Sequence, residues 1–295
     1  MPCYKPLDGY NSGYITKNGE RRIVFNPAKA ENPREIIPIP CGRCIGCRLE
    51  KSKEWALRCY HEAQLNGENN VFITLTYSDE HLPSNRTLDK THFQKFIRAL
   101  RKKTKQKIRY YMCGEYGDDT DRPHYHAILF NYQFPDATFH TLRGDNRVYI
   151  SALLTEMWTH GFHEIGSVTF KSAGYVARYI LKKQNGSRGL AAYKKKNRIP
   201  PYTQMSLKPG IGKKWYDKYS TDLFPHDFAV LPDGRQTSVP EYYRRLLKSE
   251  NPEMYERLRE ERIKKAQENP DNTDSRLEAR EICKTAQLKN LKRTL

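Results

Sequence analysis

A chain of 295 residues with 37% hydrophobic side chains, 20 Tyr and 11 Phe can build a core, which excludes disorder throughout. Its formal charge of +18 points to an anionic partner, most often nucleic acid. No apolar run approaches the ~20 residues that cross a bilayer. The start at Met1-Pro2-Cys3-Tyr4 has no apolar signal core, and seven cysteines, an odd count, suit a reducing compartment better than a disulfide framework.

Residues 1–47, rich in Pro, Gly and Asn, read as an irregular arm. A helix is expected from about Arg48 to Leu65. Val71, Ile73, Leu75 and Tyr77 alternate with Phe72, Thr74 and Thr76, the period of a strand. Phe93, Phe96, Ile97 and Leu100 at helical spacing predict a helix over roughly 89–102. Residues 109–116 and 123–131 read as two strands joined by the polar turn 117–122. A short helix is expected around 151–160, a strand over 162–170, and a helix from Ser172 to about Gln184. This order gives an α+β fold, a central antiparallel sheet flanked by helices. The segments are an N-terminal arm with a Cys cluster and helix (1–66), a catalytic domain (67–190), and a basic, largely helical extension (191–295). From Val239 onward the chain reads as a peripheral helical tail that a partner could order.

Three motifs bear on chemistry. In Arg122-Pro123-His124-Tyr125-His126, the two histidines lie i and i+2 on a strand, so both imidazoles face one way and can chelate a divalent ion. The spacing alone is common. A hairpin centred between Asp119 and Thr120 would set Glu115 across from His124 as a third ligand. Two imidazoles and a carboxylate with open positions form a catalytic set that can polarise a phosphate. In the second motif, over 172–183, Tyr175, Tyr179 and Lys182 fall within about 60° of a helix circumference, with Ala173, Val176 and Ile180 opposite. A phenol attacks phosphorus only when a cation stabilises the developing charge, since its ordinary pKa is about 10.

These segments resemble the HUH endonucleases, the rolling-circle replication initiators. FITLTY at 72–77, RPHYHAILF at 122–130 and YVARYILKK at 175–183 stand in the order of that family's three motifs. The paired tyrosines, the leading CGRCIGC at 41–47 and GEYG at 114–117 are similar to the initiators of microviruses, the gokushovirus branch above all. The resemblance covers about residues 1–185. It implies an HUH-type domain over 67–190, with His124, His126 and Glu115 as ligands of Mg²⁺ or Mn²⁺. Tyr175 and Tyr179 would be nucleophiles assisted by Lys182. It further implies single-stranded or hairpin origin DNA as substrate, host replication proteins as partners, and the cytoplasm of a bacterial host as location. With no Walker A signature, unwinding falls to a host helicase.

The third motif is Cys41-x-x-Cys44-x-x-Cys47, a spacing that chance gives in roughly 0.004 chains of this composition. Zn²⁺ takes four ligands in a closed structural site. Cys3 ranks first as the fourth ligand, stapling the N-terminal arm, and Cys59 second. Two alternatives remain at this stage: a zinc-stabilised nucleic-acid binder without catalysis, and a hydrolase in which water attacks.

Overall fold

The computed structural model describes residues 3–16, 21–117, 120–182 and 186–289, and of 21, 171, 178–182 and 186–190 the backbone only. The chain divides into two compact units. Of the described residues, one comprises those up to Glu50 and those from Glu260 to Lys289; the other is Lys51–Arg259.

The first unit carries a sheet where an irregular arm was expected. Strands β1 (Leu7–Ile15), β2 (Arg21–Val24) and β3 (Ile37–Ile39) pair antiparallel in the order β2-β1-β3. Pro38 and the glycines of β1 hide these strands from a reading based on alternation. Gly9 is needed for the fit: a Cβ there would stand 2.6 Å from the side chain of Ile39. Helix α1 (Ile45–Gln64) follows.

The second unit is built on a seven-stranded antiparallel sheet. Its strands are β4 (Asn70–Tyr77), β5 (Arg109–Tyr116), β6 (Pro123–Phe130), β7 (Thr138–Arg143), β8 (Asn146–Ile150), β9 (Gly161–Ser167) and β10 (Tyr202–Met205). They lie in the order β10-β5-β6-β4-β9-β8-β7. The intervening helices are α2 (Lys90–Thr104), α3 (Ala152–Met157), α4 (Phe170–Lys182) and α5 (Gly186–Lys195). Among the described residues, those after β10 form α6 (Lys213–Tyr219), β11 (Phe228–Val230), β12 (Gln236–Ser238), α7 (Glu241–Glu250), α8 (Pro252–Gln267) and α9 (Asp274–Lys289). No helix among the described residues is long and apolar enough to cross a membrane.

The two faces of the sheet are set by alternation. Val71, Ile73, Leu75 and Tyr77 point into a core filled by Phe93, Phe96, Ile97 and Leu100 of α2 and by Trp158. Asp89 starts α2 by accepting a hydrogen bond from the Thr91 amide at 2.7 Å. The opposite face is covered in part by α1 and α4. Phe72, Tyr111, Ile128 and Phe130 meet Cys59 and Ala63 of α1 and Ala173 and Val176 of α4. The remainder of that face is polar and open.

Three elements were not foreseen. The β7–β8 hairpin exposes Phe139 and Leu142 and shows no clean polar–apolar alternation. Strand β10 extends the sheet beyond β5 with four half-buried residues. The expected peripheral tail is in part core: Tyr243 and Leu247 of α7 and Leu258 of α8 pack with Trp215, Tyr216 and Leu57. His61 is buried in that cluster, stacked 3.5 Å from the Trp215 ring, with Nδ1 hydrogen-bonded to Tyr243 Oη at 3.1 Å.

Candidate active site

Strand pairing assembles the polar part of the sheet row by row. Glu115 of β5 pairs with His124 of β6, which pairs with Thr76 of β4. The next row is Cys113, His126 and Thr74. Strand β9 extends them with Phe162 and Glu164. Residues two apart share a face, so both imidazoles, both hydroxyls and the carboxylate project from one side.

The threonines orient the imidazoles. Thr76 Oγ1 is 2.9 Å from His124 Nδ1, and Thr74 Oγ1 is 3.0 Å from His126 Nδ1. When Nδ1 carries the proton it donates to the hydroxyl, and the Nε2 lone pair is left for a cation. His126 Nε2 lies 3.1 Å from Glu115 Oε1, and both side chains are buried. A Cβ at Gly117 would stand 3.0 Å from His124 Nε2, so glycine leaves room beside that nitrogen.

Helix α4 brings Tyr175 to the same place. Its apolar side, Ala173, Val176 and Ala177, is fully buried. The half-buried Tyr175 ring meets His126 edge-on, centroids 5.3 Å apart. Tyr175, Glu115, His124 and His126 all line one cleft of about 1310 Å³. Tyr179 and Lys182 follow on the backbone of α4, but their side chains lie outside the described residues. The two imidazoles and Glu115 are chemically suited to a divalent cation with open positions. They are spread more widely than a closed site, with imidazole centroids 6.2 Å apart.

The cysteines form a tighter group. The sulfurs of Cys3, Cys41, Cys44 and Cys47 all lie within 4.8 Å of one another, the one such metal-ligand cluster among the described residues. Cys3 and Cys44 Sγ are 3.9 Å apart, close to the ~3.8 Å edge of a zinc–thiolate tetrahedron with ~2.3 Å bonds. Backbone amides point at the sulfurs: Tyr4 and Cys47 donate to Cys44 Sγ, and Cys41 donates to Cys3 Sγ. Burial opposes ionisation of Cys44, but these amide donors outweigh it and bring the thiol down to about 7. Four cysteines so placed could bind a metal such as zinc. Cys59 stands elsewhere, fully buried among apolar side chains that push its thiol pKa up.

Comparison with known proteins places the chain in a family. Residues 70–184 match the family model described as replication-associated protein ORF2/G2P. The chain is 39% identical over 266 residues to replication-associated protein VP4 of Bdellovibrio phage phiMH2K, covering 86% of this chain and 80% of that protein. The chain belongs to the microvirus-type replication initiators. Replication-associated protein ORF2 of Spiroplasma virus 4 is 33% identical, over 85% of this initiator and 81% of its own length. Replication-associated protein ORF4 of Chlamydia phage 1 is 31% identical over 72% and 54%. No solved structure matches.

In this initiator, sequence reasoning named Glu115, His124, His126 and Tyr175, which meet in one cleft. It passed over Thr74, Thr76 and Gly117. The threonines carried a signal, since their phase in FITLTY sets them on the face away from the apolar core. Gly117 carried none, because its use depends on how closely the chain approaches an imidazole.

Proposed function

We propose that this replication initiator nicks and rejoins single-stranded DNA at the viral origin through a tyrosine nucleophile. The observation that carries the reading is the common cleft of Tyr175, Glu115, His124 and His126. A divalent cation, Mg²⁺ or Mn²⁺, held by Glu115, His124 and His126 would polarise the scissile phosphate and offset its charge. Thr74 and Thr76 fix the imidazole tautomers. The phenol oxygen of Tyr175 attacks phosphorus, the bond to the 3′ oxygen breaks, and that oxygen takes a proton. The products are a 5′-phosphotyrosine and a free 3′-OH. One phosphoester replaces another, so resealing needs no ATP. Tyr179, one helical turn along α4, supplies a second phenol for a second attack, and Lys182 offsets charge on the attacking or leaving oxygen. The net charge of +18 favours the DNA partner. Host helicase and replication proteins complete the process in the bacterial cytoplasm.

The end chemistry of the nick tests this. Circular single-stranded phage DNA incubated with the protein and Mn²⁺ should yield a 3′ end that a polymerase extends and a 5′ end resistant to kinase labelling until protease treatment. A freely accessible 5′ phosphate would mean that water attacks. Binding without any nick would leave a non-catalytic binder.

A further inference from the structure

Phe162 is 67% exposed, the second most exposed of the large hydrophobic side chains of the described residues. A lone exposed aromatic is ordinary on a protein surface, but this one stands inside the cleft. It belongs to the row Phe162–Thr76–His124–Glu115. At the usual spacing of strands it is about 10 Å from His124. Its neighbours in the row, Thr76, His124 and Glu115, are polar, and the ring stays largely open to solvent.

The backbone beneath it is fixed. Gly161 has φ +147°, and a Cβ there would stand 2.2 Å from the Ser78 amide nitrogen. Glycine therefore lets β9 begin flush against the end of β4, where the Ser78 amide donates to His160 O at 2.9 Å. The side chain thus leaves the sheet from a fixed backbone position. On the β7 side the cleft is lined by His140 and Arg143, and Arg143 pairs with Glu164. The other nearby carboxylates are also engaged: Asp136 accepts from Ser151 Oγ and the Leu153 amide, and Glu115 faces His126.

We infer that Phe162 is a stacking platform for one base of a DNA single strand whose backbone reaches Glu115, His124 and His126, and that Arg143 meets a phosphate on the β7 side. The ligand class rests on the proposed function. A single strand is favoured over a duplex because only unpaired bases offer their faces to a protruding ring. The platform would fix which nucleotide flanks the scissile phosphate.

The test is binding of the full chain to fluorescein-labelled oligothymidylate, and to an abasic strand of the same length, by anisotropy without added Mg²⁺ or Mn²⁺. Phe162→Ala should weaken oligothymidylate binding by roughly 5- to 100-fold, the usual worth of one stacked base. It should leave the abasic strand unaffected, and Phe162→Trp should restore affinity. Arg143→Gln should lower the slope of log affinity against log salt by about 0.7, one phosphate's worth on a single strand. If Phe162→Ala binds both strands like wild type, the inference fails, even where the covalent adduct persists and the proposed function stands. If wild type binds neither strand, the inference fails, and the nicking test with origin DNA and Mn²⁺ decides the proposed function separately. If Phe162→Ala keeps its DNA affinity but abolishes a concentration-dependent self-association, the ring serves a second copy of the chain and the inference is overturned.

Discussion

Thr76 Oγ1 and His124 Nδ1 lie 2.9 Å apart on paired strands, and the Thr74–His126 pair repeats the contact at 3.0 Å. Each imidazole is thereby held through Nδ1, and His126 meets Glu115 through Nε2 as well. Thr76→Val and Thr74→Val remove the hydrogen bond and keep the shape. Each should reduce Mn²⁺ affinity by about 10- to 100-fold, as loss of an orienting partner does elsewhere. Calorimetric titration with Mn²⁺ measures this; unchanged affinity in both variants would remove the threonines from the account.

Gly117 gives a second handle on the same nitrogen. A methyl group there would stand 3.0 Å from His124 Nε2, closer than most real contacts, and the residue is in a surface turn. Gly117→Ala should lower Mn²⁺ affinity at least as much as Thr76→Val, while folding stability stays within about 0.5 kcal/mol. Paired metal titration and urea unfolding would show it; wild-type metal affinity would contradict it.

These two sets of residues mark how far the sequence could be read. Strand β4 was legible because Val71, Ile73, Leu75 and Tyr77 alternate with Phe72, Thr74 and Thr76, and β5 and β6 because a polar turn separates two runs rich in apolar and aromatic residues. The Glu115–His124 register followed from the turn centre alone. By contrast β10 is a four-residue edge strand after two prolines, and its partner β5 lies about 90 residues earlier. Pairing at that separation leaves no local pattern. The β7–β8 hairpin is exposed on most positions, so burial never imposes an alternation on it. The charge along α7 and α8 hid that Tyr243, Leu247 and Leu258 pack with Trp215 and Tyr216, because it raises polarity without preventing burial of the apolar side chains between the charges.

The cysteine centre makes its own prediction. Purified protein should carry about one zinc per chain, the content of a closed four-ligand site. Cys3→Ser should lose the metal, and Cys59→Ala should keep it, because Cys59 stands outside the group. Metal analysis by mass spectrometry decides between them. Chelation should also lower the unfolding temperature, since metal binding energy is folding energy at such sites.

His61 ties stability to pH. Burial against Trp215 disfavours its charged form and holds its pKa down to about 3, against an ordinary 6.5. The unfolded chain binds a proton there that the folded chain refuses. Its contribution is therefore complete above pH 6.5 and is lost as pH falls from 6.5 towards 3, at up to about 1.4 kcal/mol per pH unit. His61→Gln should flatten that part of the stability–pH curve in urea unfolding between pH 4 and 7. A variant curve parallel to wild type would place the acid sensitivity elsewhere.

The central claim is that a phenol of α4, Tyr175 or Tyr179, attacks DNA with help from Glu115, His124 and His126. The most direct measurement is denaturing gel electrophoresis after incubation with end-labelled single-stranded origin DNA and Mn²⁺. Wild type would run beside Tyr175→Phe, Tyr179→Phe, the double variant and His124→Ala. The account predicts a labelled band at the mass of the protein in wild type, lost in the double variant and in His124→Ala, with the single variants showing which phenol attacks first. A covalent band that survives in the double variant, or cleavage with no covalent band in wild type, would contradict it.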